Sequence, residues 1–136
     1  MSLEIREREK DTVILLDIKG RLTVGDAVAS LREHLTQLIS SGKANIVLNL
    51  AGVDYIDSTG LGSMVICYTT AKKNGGMLKL LNLSRRNIEL LVLTKLTTVF
   101  EVFDDEQSAI NSYFPNREIK RFDILSFLEQ QKKTGE

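Results

Sequence analysis

Six residues, Asp57-Ser58-Thr59-Gly60-Leu61-Gly62, constrain the fold of this chain more than any other stretch. A short spacer separates them from Ile46-Val47-Leu48-Asn49-Leu50, a run apolar enough for a strand buried on both faces. After them Leu61, Met64, Val65, Tyr68 and Ala71 recur at the spacing of one helical face. A hydroxyl pair and two glycines therefore stand where a strand hands over to a helix. Such a corner exposes unpaired backbone N–H groups at the positive end of the helix dipole.

The rest of the chain repeats the alternation. Residues 3–9 alternate, Lys10-Asp11 signals a turn, and Val13-Ile14-Leu15-Leu16-Asp17-Ile18 is a second strand, so the chain opens with an antiparallel hairpin. Gly20 breaks that strand, and Thr23 or Gly25 begins a helix with Asp26 in its first turn. Ala27, Val28, Leu31, Leu35, Leu38 and Ile39 form its apolar face, and Gly42 closes it as a left-handed cap. Residues 44–50 are a central strand, and residues 51–56 a connecting loop with Val53 and Ile56 tucked beneath it. The second helix runs from Ser58 to about Lys73 and ends at Asn74-Gly75-Gly76. Residues 77–82 are the next strand, and Ser84 caps a third helix with Ile88, Leu91, Val92 and Leu96 on its apolar face. Residues 99–103 make a last strand, and Asp104-Asp105-Glu106 opens a fourth helix ending near Phe114.

This order predicts an α/β fold, a mixed, mostly parallel sheet with one antiparallel edge strand and about four helices. Residues 1–115 form one domain in this reading, and residues 116–136 a helical extension. Ile119, Phe122, Ile124 or Leu125, and Leu128 give the extension the stripe of a fifth helix. That helix either packs on its own domain, the simpler reading, or meets a second copy to make a homodimer.

Composition removes several functions. Eighteen basic and eighteen acidic residues cancel to a formal charge of zero, which gives no electrostatic case for nucleic acid. Cys67 is alone, so no internal disulfide forms, and a reducing compartment suits the chain. No apolar run approaches the ~20 residues of a membrane span, and the charged, alternating start is unlike a signal peptide. The cytoplasm is the expected address. His34 is the single histidine, no Cys/His set has metal spacing, and Ser58 lacks a Gly-x-Ser-x-Gly elbow. Gly60-Leu61-Gly62 is too short for a phosphate-binding loop and carries no Lys. No enzyme, metal or cofactor is therefore expected. Cys67 reads as a small apolar filler and Arg85-Arg86 as solvated helix surface.

Two readings of the Ser58 corner stay open from spacing alone. Asp57 or Ser58 is a good helix cap. Gly60, Gly62 and Ser63, however, make a small, uncharged patch at a helix start, where glycine costs about 1 kcal/mol each in propensity. Glycine there lets another surface approach the backbone.

The residues from Ile46 to Leu50, then Val53, then Ile56 through Gly62, resemble the signature of the STAS domain, and most closely that of bacterial anti-sigma factor antagonists. Gly20-Arg21-Leu22 and the strand–helix pair from Met77 to Leu96 fall where that family has its elements, so the resemblance covers about residues 3–114. It implies a STAS fold and a protein that binds an anti-sigma factor, itself a serine kinase of the histidine-kinase-like ATPase fold. The kinase phosphorylates the serine matching Ser58 and the complex separates, while a PP2C-type phosphatase restores the active form. Asp57, Thr59, Gly60 and Gly62 would frame Ser58, with Arg21, Thr23 and Ser63 as further partner contacts. Thr23 stands where many members carry Asp, and Thr23 and Thr59 are alternative hydroxyl acceptors. The alternatives are a STAS subunit of a larger signalling scaffold or lipid-transport assembly, and a small-molecule or nucleotide binder at the same corner.

Overall fold

The computed structural model describes residues 3–134, and the side chains of residues 3–130. Its strands are β1 (Glu4–Lys10), β2 (Val13–Leu22), β3 (Asn45–Ile56), β4 (Met77–Leu81) and β5 (Val102–Phe103). Its helices are α1 (Asp26–Ser40), α2 (Ser58–Lys73), α3 (Arg85–Leu93), α4 (Glu106–Asn111) and α5 (Ile124–Thr134). The strands lie in the sheet in chain order. β1 is antiparallel to β2, and every other pair is parallel, so the expected mixed sheet with an antiparallel edge is present.

A sheet that grows in one direction through right-handed crossovers must put its crossover helices on one face. Strand alternation then sorts the side chains. Ile14, Leu16, Ile18, Ile46, Leu48, Leu50, Leu78 and Leu80 join the faces of α1, α2 and α3 in the main core. Val13, Leu15, Val47, Leu81 and Phe103 point the other way and meet Ala109 and Ile110 of α4.

The expected loop at residues 51–56 is strand. β3 continues to Ile56 because the second half of β2 pairs with it, from Lys19 opposite Gly52 to Leu22 opposite Ile56. Gly20 does not break β2. It lies inside the strand at φ +128°, between register shifts that absorb the extra twist. Gly52 is required by contact, since a Cβ there would meet the Ile18 carbonyl oxygen at 2.8 Å. Both strands thus run beyond β4 and deliver Leu22 and Ile56 side by side.

Other boundaries moved for local reasons. β5 holds only Val102 and Phe103, because residues 96–98 form a 3-10 turn and Phe100 is drawn into the core against Tyr68. Val92 is exposed, since α3 buries only the stripe of Asn87, Ile88 and Leu91. α4 stops at Asn111, and Tyr113 beyond it donates its hydroxyl to the Ile46 carbonyl at 2.6 Å. α5 begins at Ile124, capped by Asp123, and Phe122, Ile124, Phe127 and Leu128 pack against the main core of the same chain. Ile119 and Leu125 of the expected stripe are exposed.

Candidate functional site: the corner between β3 and α2

Asp57 is the residue that makes the corner. Its backbone N–H donates to the Leu22 carbonyl at 3.1 Å. Its Oδ1 accepts the Gly60 N–H at 2.7 Å, which caps α2, and its Oδ2 accepts the Val24 N–H at 2.9 Å. One carboxylate therefore ties the loop after β2 to the start of α2. The Gly60 N–H, and then the Val24 N–H, hold the Asp57 carboxyl below the usual carboxylate range. Thr23 is half-buried in that tied loop, beside the helix start.

With Asp57 as the cap, Ser58 is released from capping. It is the first residue of α2, exposed, and its hydroxyl has no hydrogen-bond partner among the described residues; the same holds for Thr59. Asp57 takes the Gly60 N–H, and the positive end of the helix dipole favours an anion at this position.

The two glycines do different work. A Cβ at Gly60 would lie 2.2 Å from the Leu22 carbonyl oxygen, so Gly60 is a buried contact that lets β2 touch α2. A Cβ at Gly62 would meet nothing within 4 Å. Gly62 is the exposed one, on one line with Ser58 and the half-exposed Ile66 (50%) at four-residue steps. Ser63 is not available as a partner contact: it is 4% exposed, with its hydroxyl unpartnered among the described residues. The signal was present in the sequence, since Gly60, Ser63, Cys67 and Ala71 recur at helical spacing as an inward stripe of small residues. Burial pushes the Cys67 thiol up, as suits an inert filler.

Tyr55 and Arg86 escaped the sequence reading, and they meet Arg21, which it names as a partner contact. Arg21 is exposed and holds its guanidinium over the Tyr55 ring, 5.1 Å from the centroid. Arg86 covers the same ring at 4.5 Å, although it reads in sequence like its neighbour Arg85, which pairs with Glu89 at 2.8 Å. Tyr55, Asp57, Ser58, Arg86 and Leu93 line one cleft of about 350 Å³ between the corner and α3. Leu93 is 80% exposed and Val24 69% exposed, so apolar groups flank the hydroxyl from α3 and from the β2 loop. Only the strand register brings Arg21 to Tyr55, and only the α3 docking brings Arg86 there.

No cluster of His, Cys, Asp or Glu among the described residues could hold a metal ion. No described helix is long and apolar enough to cross a membrane.

The same fold recurs among known proteins. An anti-sigma-B factor antagonist of Bacillus subtilis is 38% identical over 102 residues, covering 75% of this chain and 90% of that protein. An anti-sigma factor antagonist from Mycobacterium paratuberculosis shares the fold with a TM-score of 0.72 at 16% identity, over 81% of this chain and 92% of that one. The Bacillus cell fate determinant SpoIIAA in its phosphorylated form does so with a TM-score of 0.65 at 20% identity, over 81% and 99%. The family model described as STAS domain matches residues 4–109. With that match over most of its length, and the identity to the Bacillus relative, this chain belongs to the STAS domain family.

Proposed function

We propose that this protein is an anti-sigma factor antagonist whose binding is switched off by phosphorylation of Ser58. The observation that carries the switch is the division of labour at the corner. Asp57 does the capping, so Ser58 offers an exposed hydroxyl with no partner among the described residues, at a helix N-terminus flanked by Val24, Ile66 and Leu93. The partner is an anti-sigma factor that is also a serine kinase, and it packs over Ser58, Gly62 and Ile66. Arg21, Thr23 and Thr59 border that surface, whereas Gly60 and Ser63 serve the fold beneath it.

The chemistry of the switch is local. The kinase moves the terminal phosphoryl group of ATP to Ser58 Oγ, ADP leaves, and the hydroxyl proton passes to a base of the kinase. The product adds about −1.5 to −2 charges beside Asp57. The helix N-terminus tolerates that group. A closely packed partner does not, since a buried unpaired charge costs several kcal/mol, and about 1.4 kcal/mol is already tenfold in affinity. A PP2C-type phosphatase resets the switch. This chain is substrate and binding module, with ATP and magnesium belonging to the kinase, and it works in the cytoplasm. Residues 1–115 are the binding module and 116–136 an appended tail. Phe122, Ile124, Phe127 and Leu128 pack against this chain's own core, which supports the reading of the tail as a packing helix.

The test is incubation with the serine kinase encoded nearest to this gene, plus ATP, and mapping of phosphate by mass spectrometry. Phosphate is expected on Ser58, with Ser58→Ala unmodified and Ser58→Asp binding the kinase at least about tenfold more weakly than wild type. A Ser58 that stays unmodified, or a Ser58→Asp variant that binds as wild type does, sinks the proposal. Stable association with other STAS or transporter subunits without phosphate turnover would favour the scaffold reading instead.

A further inference from the structure

Two arginines over one tyrosine ring need an explanation. Like charges brought together repel, and the usual remedy is a carboxylate. Arg8 has Asp17, Arg85 has Glu89 and Arg117 has Asp11, while Arg6, Arg32 and Arg121 have no ion pair among the described residues but share no ring with a second arginine. Arg21 and Arg86 have no carboxylate partner among the described residues, and only the Tyr55 face holds them. The acids of the cleft are already engaged. Glu89 is taken by Arg85, and Asp57 accepts from Gly60 and Val24. Ser58 and Arg86 line this cleft together, Arg21 reaches the Tyr55 ring from the end of β2, and no carboxylate of the lining is left for either arginine.

We propose that the phosphoryl group on Ser58, once installed, is bound within the same chain by Arg86 across the cleft and by Arg21 from the end of β2. This rests on Ser58 being the phosphorylated residue. A phosphoserine presents three strong acceptor oxygens, and a guanidinium matches two of them at once. Tyr55 holds the Arg86 and Arg21 guanidiniums 4.5 and 5.1 Å from its ring centroid, so less side-chain freedom is lost when they turn to the phosphate. The modification then acts twice. It adds a charge that a partner cannot cover, and it withdraws two cations that the unmodified surface offers to an acidic partner segment. The intramolecular clasp also shields the phosphoester, so removal of the arginines exposes it to the phosphatase.

The test installs phosphoserine at position 58 during synthesis of the full chain, which makes it independent of any kinase. Phosphorus NMR then follows the phosphate titration in wild type, Arg86→Gln, Arg21→Gln and the double variant, with the melting of each unmodified protein as the folding control. In wild type the second ionisation is expected to drop from about 6 toward about 5, to rise in Arg86→Gln and to rise further in the double variant. A titration that is equal in wild type and the double variant overturns the clasp, whether the shared value is ordinary or low, since a low shared value assigns the binding to the helix terminus alone. Should the kinase fail to modify Ser58 while the arginines still move the titration, the switch fails and the clasp stands. If the kinase modifies Ser58 and the titrations coincide, the clasp fails alone.

Discussion

The starts of α2 and α4 use the same device to different ends. Each is capped by an aspartate whose side chain accepts from the N–H three residues on, Asp57 from Gly60 at 2.7 Å and Asp105 from Ser108 at 2.9 Å. At α4 every polar group of the first turn is engaged. Glu106 pairs with Arg8 at 2.7 Å, Gln107 donates to Asn111 at 2.9 Å, and the Ser108 hydroxyl accepts the Lys120 N–H at 2.9 Å. At α2 the cap itself is engaged twice, yet the next two hydroxyls, Ser58 and Thr59, are exposed and unpartnered among the described residues. A capping motif therefore does not distinguish a functional helix start from a structural one. The distinction lies in what the first-turn side chains are left free to do.

The largest effect is expected at the glycines that separate the two starts. Gly60→Ala drives a Cβ into the Leu22 carbonyl at 2.2 Å, and a backbone oxygen held by the Asp57 N–H cannot retreat. Overpacking of this kind costs about 2–3 kcal/mol. Gly62→Ala faces open space in a helix interior and should gain about 0.5–1 kcal/mol. Urea denaturation of both variants checks the pair. Opposite signs support the assignment of Gly60 to packing and Gly62 to surface, and equal losses would refute it.

Next in size are the caps. Asp57→Ala loses two acceptor bonds and unties the β2 loop, whereas Asp105→Ala loses one, from the Ser108 N–H. Both carboxyls are held below their usual range, Asp57 by Gly60 and Val24 and Asp105 by Ser108. The folded values are depressed, so each contributes stability above the unfolded value near about 3.9 and loses it as pH falls through the folded value. At pH ~7 Asp57→Ala should therefore have the lower urea midpoint of the two, and its gap to wild type should narrow as pH falls below about 4. A gap unchanged at low pH would mean that the carboxylate charge is not what ties the corner.

Much of this was legible beforehand. The strand-to-helix alternation follows from the periods 2 and 3.6, and the antiparallel hairpin from the turn at Lys10-Asp11. What escaped depends on contacts between distant segments. Residues 51–56 carry Gly52 and Asp54 and look like a loop, but β2 pairs with them. Gly60 and Gly62 look alike locally, and the Leu22 carbonyl alone separates them. Arg21, Tyr55 and Arg86 come from β2, β3 and α3, and no local pattern announces that they meet. Val92 follows the helical period of Ile88 and Leu91, yet it is exposed because α3 buries only the narrow stripe of Asn87, Ile88 and Leu91.

The smallest effect on stability carries the most meaning for the comparison. Ser108 is buried and its hydroxyl accepts the Lys120 N–H, so Ser108→Ala leaves a donor short of its partner and should cost about 1 kcal/mol. Ser58 follows its cap, is exposed and supports nothing, so Ser58→Ala should change stability by less than about 0.5 kcal/mol while abolishing phosphorylation. Urea midpoints measured beside the mass-spectrometric assay separate the two quantities. A Ser58→Ala variant as destabilised as Ser108→Ala would make Ser58 a structural hydroxyl, and the two helix starts would then be the same device after all. A residue that can be removed without loss of stability, placed where an anion is welcome, is one the fold has left for another molecule to use.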